Sequence, residues 1–477
     1  MKLLKRILKI LATFLALLIL SLIVILWVDS NNTSYLHIDE DSELSQNSFL
    51  IKNANVIPMN TDTILRNKMI LIKNGIIEKI ENEISNENIP VFDANGKFIT
   101  PGLIDMHVHV WDSYELGLYL ANGVTAVRNL WGMPMHLRMK KDILNNKIIA
   151  PSFFTTGPKL TGTEFIGDDN LNLTSPEEAK EKIISYKERG YDLIKTYYGL
   201  DKEIFDAVIE QAKESDIEIA AHPSQKVPFS YHTKSPIKSI EHAEEIVQQP
   251  LKFDLDTLKL QPIIDNIASS KNTNYSPTLV VFHNIYEMMM NDDILNSESL
   301  NYINPLIKEV DSKAQFDRWF YAKQNDSTVI SRIKNQHDFH ITIVKKLHKA
   351  GVPIVCGTDA GIGVTVPGFS IHQELKFYQE AGLSNFEILK TATINAAQTH
   401  QIMNSLGTIE KGKVANLLVL EENPLKEISA LKKTSVIFVQ GRKLEQKNLD
   451  IFIEKAKNRK NFIASALRYV ENLLFEK

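Results

Sequence analysis

Eight short apolar runs, each followed by a segment of helical character, alternate over about 300 residues in the middle of the chain. The runs are Leu103–Val110, Val124–Leu130, Ser152–Gly157, Leu193–Tyr198, Ile217–Pro223, Ser239–Ala243, Ser276–Val281 and Val352–Gly361. Strands separated by helices must pair in parallel, because the crossover carries the chain back to the starting edge. An open parallel sheet usually has five or six strands, so eight repeats predict an α/β fold of the closed (β/α)8 type, a TIM-like barrel over residues 101–400. Helix starts are written into the sequence. Ser175-Pro176-Glu177-Glu178 places a cap, a first-turn proline and acids at a helix N-terminus, and Ser384-Asn385-Phe386-Glu387 has the spacing of a capping box. A Met- and Asn-rich segment, 282–331, interrupts the seventh unit and is expected to form a lid or partner surface.

The flanks differ in character. Phe49–Ile57 reads as a strand, and Met69–Ile80 carries Asn74-Gly75 between apolar runs, a hairpin signal. Val414–Leu420 and Val436–Gln440 repeat this strand-and-turn pattern after the barrel. Neither flank has enough strands to stand alone, so 49–100 and 401–447 are expected to build one small composite β-sandwich, followed by a C-terminal helix over 448–477. At the other end, Lys2, Lys5, Arg6 and Lys9 precede an apolar run of about 19 residues, Ile10–Val28, long enough for a ~30 Å hydrocarbon core. No small-x-small cleavage pattern follows it, so residues 1–28 read as an uncleaved transmembrane signal anchor. The basic flank puts the N-terminus in the cytoplasm and the rest of the chain outside it. The polar stretch 29–48 reads as a linker.

Composition removes several functions. The chain has 54 basic and 58 acidic residues, which gives no electrostatic footprint for nucleic acid. Its one cysteine, Cys356, excludes both a disulfide framework and a Cys-rich zinc site. Any metal must therefore be held by histidine, carboxylate or a modified side chain. His107 and His109 flank Val108 at the end of the first strand, where period-two geometry turns both imidazoles to one face. Lys195, His222, His242 and Asp359 end the fourth, fifth, sixth and eighth strands. The C-terminal ends of barrel strands open at one mouth, so these six groups are expected to converge. Arg128 on the second strand is a candidate for binding a substrate carboxylate or for a structural ion pair. Tyr231 and His283 are candidate donors to a developing oxyanion. His372, at the start of the helix after the eighth strand, reads as structural or as supporting the ligands, and His37, His232, His337, His340, His348 and His400 receive no role.

Pro101-Gly102-Leu103-Ile104-Asp105-Met106-His107-Val108-His109 and Gly357-Thr358-Asp359-Ala360-Gly361 resemble the metal-dependent amidohydrolases. The resemblance continues through Ser239-Ile240-Glu241-His242-Ala243, Thr391-Ala392-Thr393-Ile394-Asn395-Ala396-Ala397 and Leu406-Gly407-Thr408-Ile409-Glu410-Lys411-Gly412-Lys413, and is strongest to the imidazolonepropionase-related, prolidase-like branch. It implies two divalent metal ions, zinc foremost. His107, His109 and Asp359 would hold one, His222 and His242 the other, and a carbamylated Lys195 would bridge them. Asp359 would double as the catalytic proton carrier. The implied reaction is hydrolysis of an amide-like C–N bond in a Xaa-Pro-type dipeptide or N-acyl amino acid. Hydrolysis of a cyclic amide or lactone, and a membrane-anchored binding protein without catalysis, are the alternatives. The expected partners are a small-molecule or dipeptide substrate and the membrane, with homo-oligomerisation left open.

Overall fold

The computed structural model describes residues 2–85, 88–163, 170–271 and 273–476. Its centre is a succession of parallel pairings. Leu103–Val108 pairs with Val124–Asn129, which pairs with Ser152–Thr155. An isolated parallel bridge, Thr156 to Leu193, leads to the run Leu193–Thr196, Glu218–Ala221, Ile237–Glu241 and Asn274–Ser276. Parallel bridges from Tyr275 to Ile354 and from Ala360 to Val108 lead back to the first strand. The eighth predicted strand, 352–361, thus exists only as these two bridges. The seventh is shorter than expected, because Leu279 already begins a helix that runs to Met290. A short parallel pair that the sequence reading missed, Lys159–Gly162 with Asn170–Leu173, extends the ladder beside Leu193–Thr196.

The predicted helix starts are in place. Ser175 accepts a hydrogen bond from the Glu178 amide at 3.1 Å, Pro176 occupies the first turn, and Gly190 ends this helix with φ 97°. Ser384 and Glu387 form the reciprocal capping box at the start of Asn385–Thr391. The segment 282–331 is largely helical. Phe282, Ile285, Met289, Ile307 and Ile333 form an apolar cluster with Val364 and Val366 of the loop that follows Asp359.

Both flanks of the ladder contribute to one eight-stranded mixed sheet, in which Phe98–Pro101 pairs with Leu417–Leu420 and Phe49–Val56 with Leu65–Lys73. The two chain ends expected to form the small β domain thus meet in one hydrogen-bonded sheet around a shared apolar cluster. It forks where one edge of Phe49–Val56 meets both Val91–Asp93 and Phe98–Pro101. An antiparallel bridge from Ile76 to Val414 curls it further.

Two terminal expectations need correction. The N-terminal helix runs from Lys2 to Asn32, and the presumed linker is packed against the body. Leu36 is 1% exposed in the main core, and Asp29 is buried against Arg468 at 2.6 Å. Polar composition concealed this because the few residues that anchor the segment are isolated. The predicted C-terminal helix is two helices, Gln446–Lys457 and Phe462–Phe475; residue 477 lies outside the described residues. Arg459, in the connection between them, is buried and donates to Asp112 Oδ1 at 2.9 Å and lies 3.5 Å from Glu115. Asn304 and Asn461 donate to Asp112 Oδ2 at 2.7 and 2.9 Å. The tail is thereby tied to the loop after the first ladder strand. Arg459→Met leaves two buried carboxylates without their cation and should cost about 3 kcal/mol in urea unfolding; a loss below about 1 kcal/mol would place this cluster among weakly contributing ion pairs.

Candidate metal centre

Alternation along Leu103–Val108 places His107 and, one residue beyond the strand, His109 on the same side. Asp359 reaches them from the loop of the Ala360 bridge. Its Oδ1 lies 3.2 Å from His107 Nε2 and 2.8 Å from His109 Nε2. His242, just past Ile237–Glu241, brings its ring centroid to 4.7 Å from those of both His107 and His222. One ligand atom each from His107, His242 and Asp359 fall within 4.8 Å of one another, close enough for the three to hold one cation. His242 thus joins His107 and Asp359, while His109 shares the same Asp359 oxygen and His222 packs beside His242.

Two of these positions carry unfavourable backbone. Asp359 has φ 58° and His242 φ 70°, where a side chain other than glycine costs about 1–3 kcal/mol. The surroundings must supply that energy. Asp105, buried beneath the turn, accepts from Thr358 Oγ1 at 2.7 Å, from the Thr358 amide at 3.1 Å and from the His107 amide at 3.2 Å, so it ties the strand to the Asp359 loop.

The imidazoles are oriented from behind. His107 Nδ1 is 2.9 Å from Glu241 Oε2, and His242 Nδ1 is 2.8 Å from Thr278 Oγ1, which in each case leaves Nε2 available. His222 Nε2 approaches Glu245 at 3.1 Å, and the same carboxylate accepts from Tyr198 Oη at 2.6 Å. Burial pushes His107 down to about 4, with Lys195 adding to the effect, and it lowers His222 and His242 as well. All three are therefore neutral at pH 7, the form in which imidazole binds a metal. Burial opposes the charge on Asp359, yet the neighbouring His107 and His109 hold its carboxyl well below the usual range.

Lys195 ends Leu193–Thr196 and is 1% exposed, and its Nζ makes no hydrogen bond among the described residues. Burial pushes its ammonium down to about 7, against the opposing influence of Glu241 and Asp359. A buried amine this close to neutrality fits a site for a carbamate, since only the uncharged form reacts with carbon dioxide. The donor set also fits divalent metals: neutral imidazole nitrogens and carboxylate oxygens, with His109 Nδ1 and His222 Nδ1 buried and unpaired among the described residues.

The three remaining candidates lie elsewhere. Arg128 is fully buried and spends its donors on Glu241 Oε1 at 2.8 Å, Ser239 Oγ at 2.7 Å and the Met106 carbonyl at 2.5 Å, with His400 Nε2 2.8 Å away. It is the structural ion pair of its two readings, not a carboxylate receptor. Tyr231 sits in the short turn Phe229–Thr233 beneath the Lys234 ammonium, 3.3 Å from its ring centroid. His283 points to a separate hollow with His337 and Lys334. Neither Tyr231 nor His283 lines the cavity above the histidines: Tyr231 lies in a short turn, and His283, expected on a loop, stands on the helix Leu279–Met290.

That cavity, about 770 Å3, is walled by His222, His242 and Asp359 on one side and by the 282–331 segment and the helix after it on the other, through Phe282, Gln315, Arg318, Trp319, Arg332 and Gln336. The sequence reading missed Glu241, Arg318 and Trp319. Glu241 could have been found inside the Ser239–Ala243 motif, where it alternates with His242. Arg318 and Trp319 carried no signal, since nothing in the sequence tells which side of the insertion faces inward.

Residues 98–444 match the Amidohydrolase family. A dihydroorotase of Carboxydothermus hydrogenoformans is 23% identical over 397 residues, 78% of this chain and 88% of that protein. The ochratoxinase of Aspergillus niger is 21% identical over 449 residues, 78% and 81% of the two chains. Among solved structures, the bottromycin amidohydrolase superposes with a TM-score of 0.71 at 21% identity, covering 90% of this chain and 96% of its own. A Xaa-Pro dipeptidase with bound methionine gives 0.64 at 21%, covering 83% and 100%. These likenesses establish the fold, and the match across most of the chain establishes the kinship: this protein is an amidohydrolase-type hydrolase and belongs to the Amidohydrolase family.

Proposed function

We propose that this chain is a membrane-anchored, binuclear metal-dependent hydrolase that cleaves the amide C–N bond of a Xaa-Pro-type dipeptide or an N-acyl amino acid. The parallel pairings that lead back to their first strand support a closed (β/α)8 barrel as its frame. The observation that carries the reading is the convergence of His107, His242 and Asp359 at the foot of a cavity that also presents a cation, Arg318. The apolar helix Lys2–Asn32, whose most apolar stretch is unburied until its last turns meet the C-terminal helix, supports the anchor.

His107, His109, His222, His242 and Asp359 would hold the ions, with a carbamate on Lys195 between them. When bound, divalent cations polarise a carbonyl oxygen and acidify water. The chain's own residues do the remaining work. Glu241 fixes His107 with Nδ1 toward itself and Nε2 toward the site. Asp359, ionised and buried, accepts a proton from the attacking water on its carboxylate and passes it to the leaving nitrogen, so that an amine rather than an amide anion departs. Trp319 and Phe282 restrict water at the cavity wall. Arg318 is placed to pair with the substrate carboxylate.

Arg318→Met should raise KM about 30-fold for substrates with a free carboxylate, equivalent to a loss of about 2 kcal/mol, and far less for the corresponding amides. A panel of Xaa-Pro dipeptides, N-acyl amino acids and their C-terminal amides measures this. Turnover of none of them, with metal bound, would overturn the substrate assignment.

Arg128→Met should act differently. It leaves Glu241 buried without its cation, so stability should fall by about 3–5 kcal/mol and metal affinity by roughly 10–100-fold, with no preference between acids and amides. Native stability with a selective KM rise for acids would return Arg128 to the substrate.

Lys195→Ala removes the proposed carbamate. Metal content by elemental analysis should drop together with activity, and both should recover in part with millimolar acetate or propionate, which supply two oxygens without the covalent tether. A variant that keeps two metals per chain and native turnover would show that Lys195 only fills space.

A further inference from the structure

The helix Phe462–Phe475 is amphipathic with its faces reversed. A helix lying on a soluble body turns its apolar stripe inward and its polar face to water. Here the polar residues face the protein. Ser465 Oγ accepts from Asn304 at 2.8 Å, Arg468 pairs with Asp29 at 2.6 Å, and Glu476 takes the Tyr191 hydroxyl at 2.8 Å and the Arg189 guanidinium. The outward face carries Ile463, Leu467, Val470 and Leu474, spaced four, three and four residues apart, which is one stripe of an α-helix. Ile463, Val470 and Leu474 are 54%, 47% and 74% exposed. Glu471 is drawn aside into a bidentate pair with Arg138 at 2.6 and 2.7 Å.

The neighbour of this stripe identifies what covers it. Val24, Ile25 and Val28, the last apolar turns of the N-terminal helix, form a groove of about 560 Å3 with Phe462, Ile463 and Ala464. Asp29, the first acid after the apolar run, pairs with Arg468, near the middle of the C-terminal helix. The end of the apolar run is therefore level with that helix. In a bilayer this is the depth at which hydrocarbon gives way to headgroups, where a helix with one wholly apolar face settles roughly 5–10 Å into the acyl boundary.

We propose that the outward face of Phe462–Phe475 lies in the lipid interface beside the N-terminal span, so that the chain meets the membrane at two places and the body is held in one orientation against it. This rests on the anchor reading given above. The pairs Arg468–Asp29 and Glu476–Arg189 hold the polar side of the helix on the protein while the stripe is immersed.

The test uses the full chain, whose own cysteine, Cys356, is buried. Ile463→Cys, Val470→Cys and Leu474→Cys are labelled with an environment-sensitive fluorophore, with Asn266→Cys on the helix Thr257–Ser269 as a control, and reconstituted in phosphatidylcholine–phosphatidylglycerol vesicles. The expected result is blue-shifted emission at the three stripe positions, quenched by doxyl groups on the lipid chains and shielded from aqueous iodide, with the reverse at Asn266. If the chain floats with vesicles but the stripe labels are quenched by iodide as Asn266 is, the inference fails and the anchor stands. Labels shielded from both quenchers would assign the stripe to a second copy and overturn the inference. A chain that does not float with vesicles would overturn the anchor and the inference together.

Discussion

Glu241 has no exposed surface, and its two carboxylate oxygens are divided between Arg128 and His107. Burial opposes its charge, yet those partners hold it well below the usual carboxylate range. An ion pair in a low-dielectric interior contributes little net stability compared with apolar packing of the same volume. Its value here is geometric. Arg128 is fixed in turn by Ser239, by the Met106 carbonyl and by His400, which itself contacts Glu218 at 2.9 Å. Four segments far apart in sequence thus set the angle of one imidazole. The positive φ values at His242 and Asp359 are held by the same kind of enclosure, in which Asp105 and Thr358 brace the loop from beneath.

The frame was legible because its rules are local. A parallel strand needs a crossover helix, and a helix start needs a cap, so Ser175 and Ser384 could be read directly. The candidate site was legible to the extent that its members stand at strand ends: His107, His109, Lys195, His222 and His242 were read from alternation and from the shared direction of parallel strands, whereas Asp359 lies in a loop held only by bridges. What failed depended on the third dimension. Arg128 has the chemistry of a carboxylate receptor, and nothing in the sequence says that Glu241 has already claimed it. Tyr231 and His283 were placed at the mouth by proximity in sequence alone. The stretch 29–48 looked like a linker because Tyr35, Leu36, Ile38 and Leu44, which pack on the main core, are few among polar residues and follow neither a helical nor a strand period.

The segment 282–331 and the C-terminal tail both pack toward the end of the fold that carries the candidate site. The insertion rests on the loop after Asp359, where the Gly363 amide donates to Asp311 at 2.6 Å, and it supplies the wall that makes the mouth a cavity. The tail reaches the metal residues through aromatic packing. The ring of Tyr469 is 6.2 Å from that of Trp131, which lies 6.3 Å from His109. A change at Tyr469, on the inner side of the tail, is therefore one ring removed from His109.

The cluster around Asp112 bears on how the protein is made. Its cation, Arg459, follows it by 347 residues. At about 5–20 residues per second of synthesis, Asp112 and Glu115 emerge roughly 20–70 s before the charge that allows them to be buried. In that interval the loop after the ladder's first strand, which holds both acids, lacks the cation it packs against. The closing of that end of the protein is thus tied to the arrival of the tail, late in synthesis.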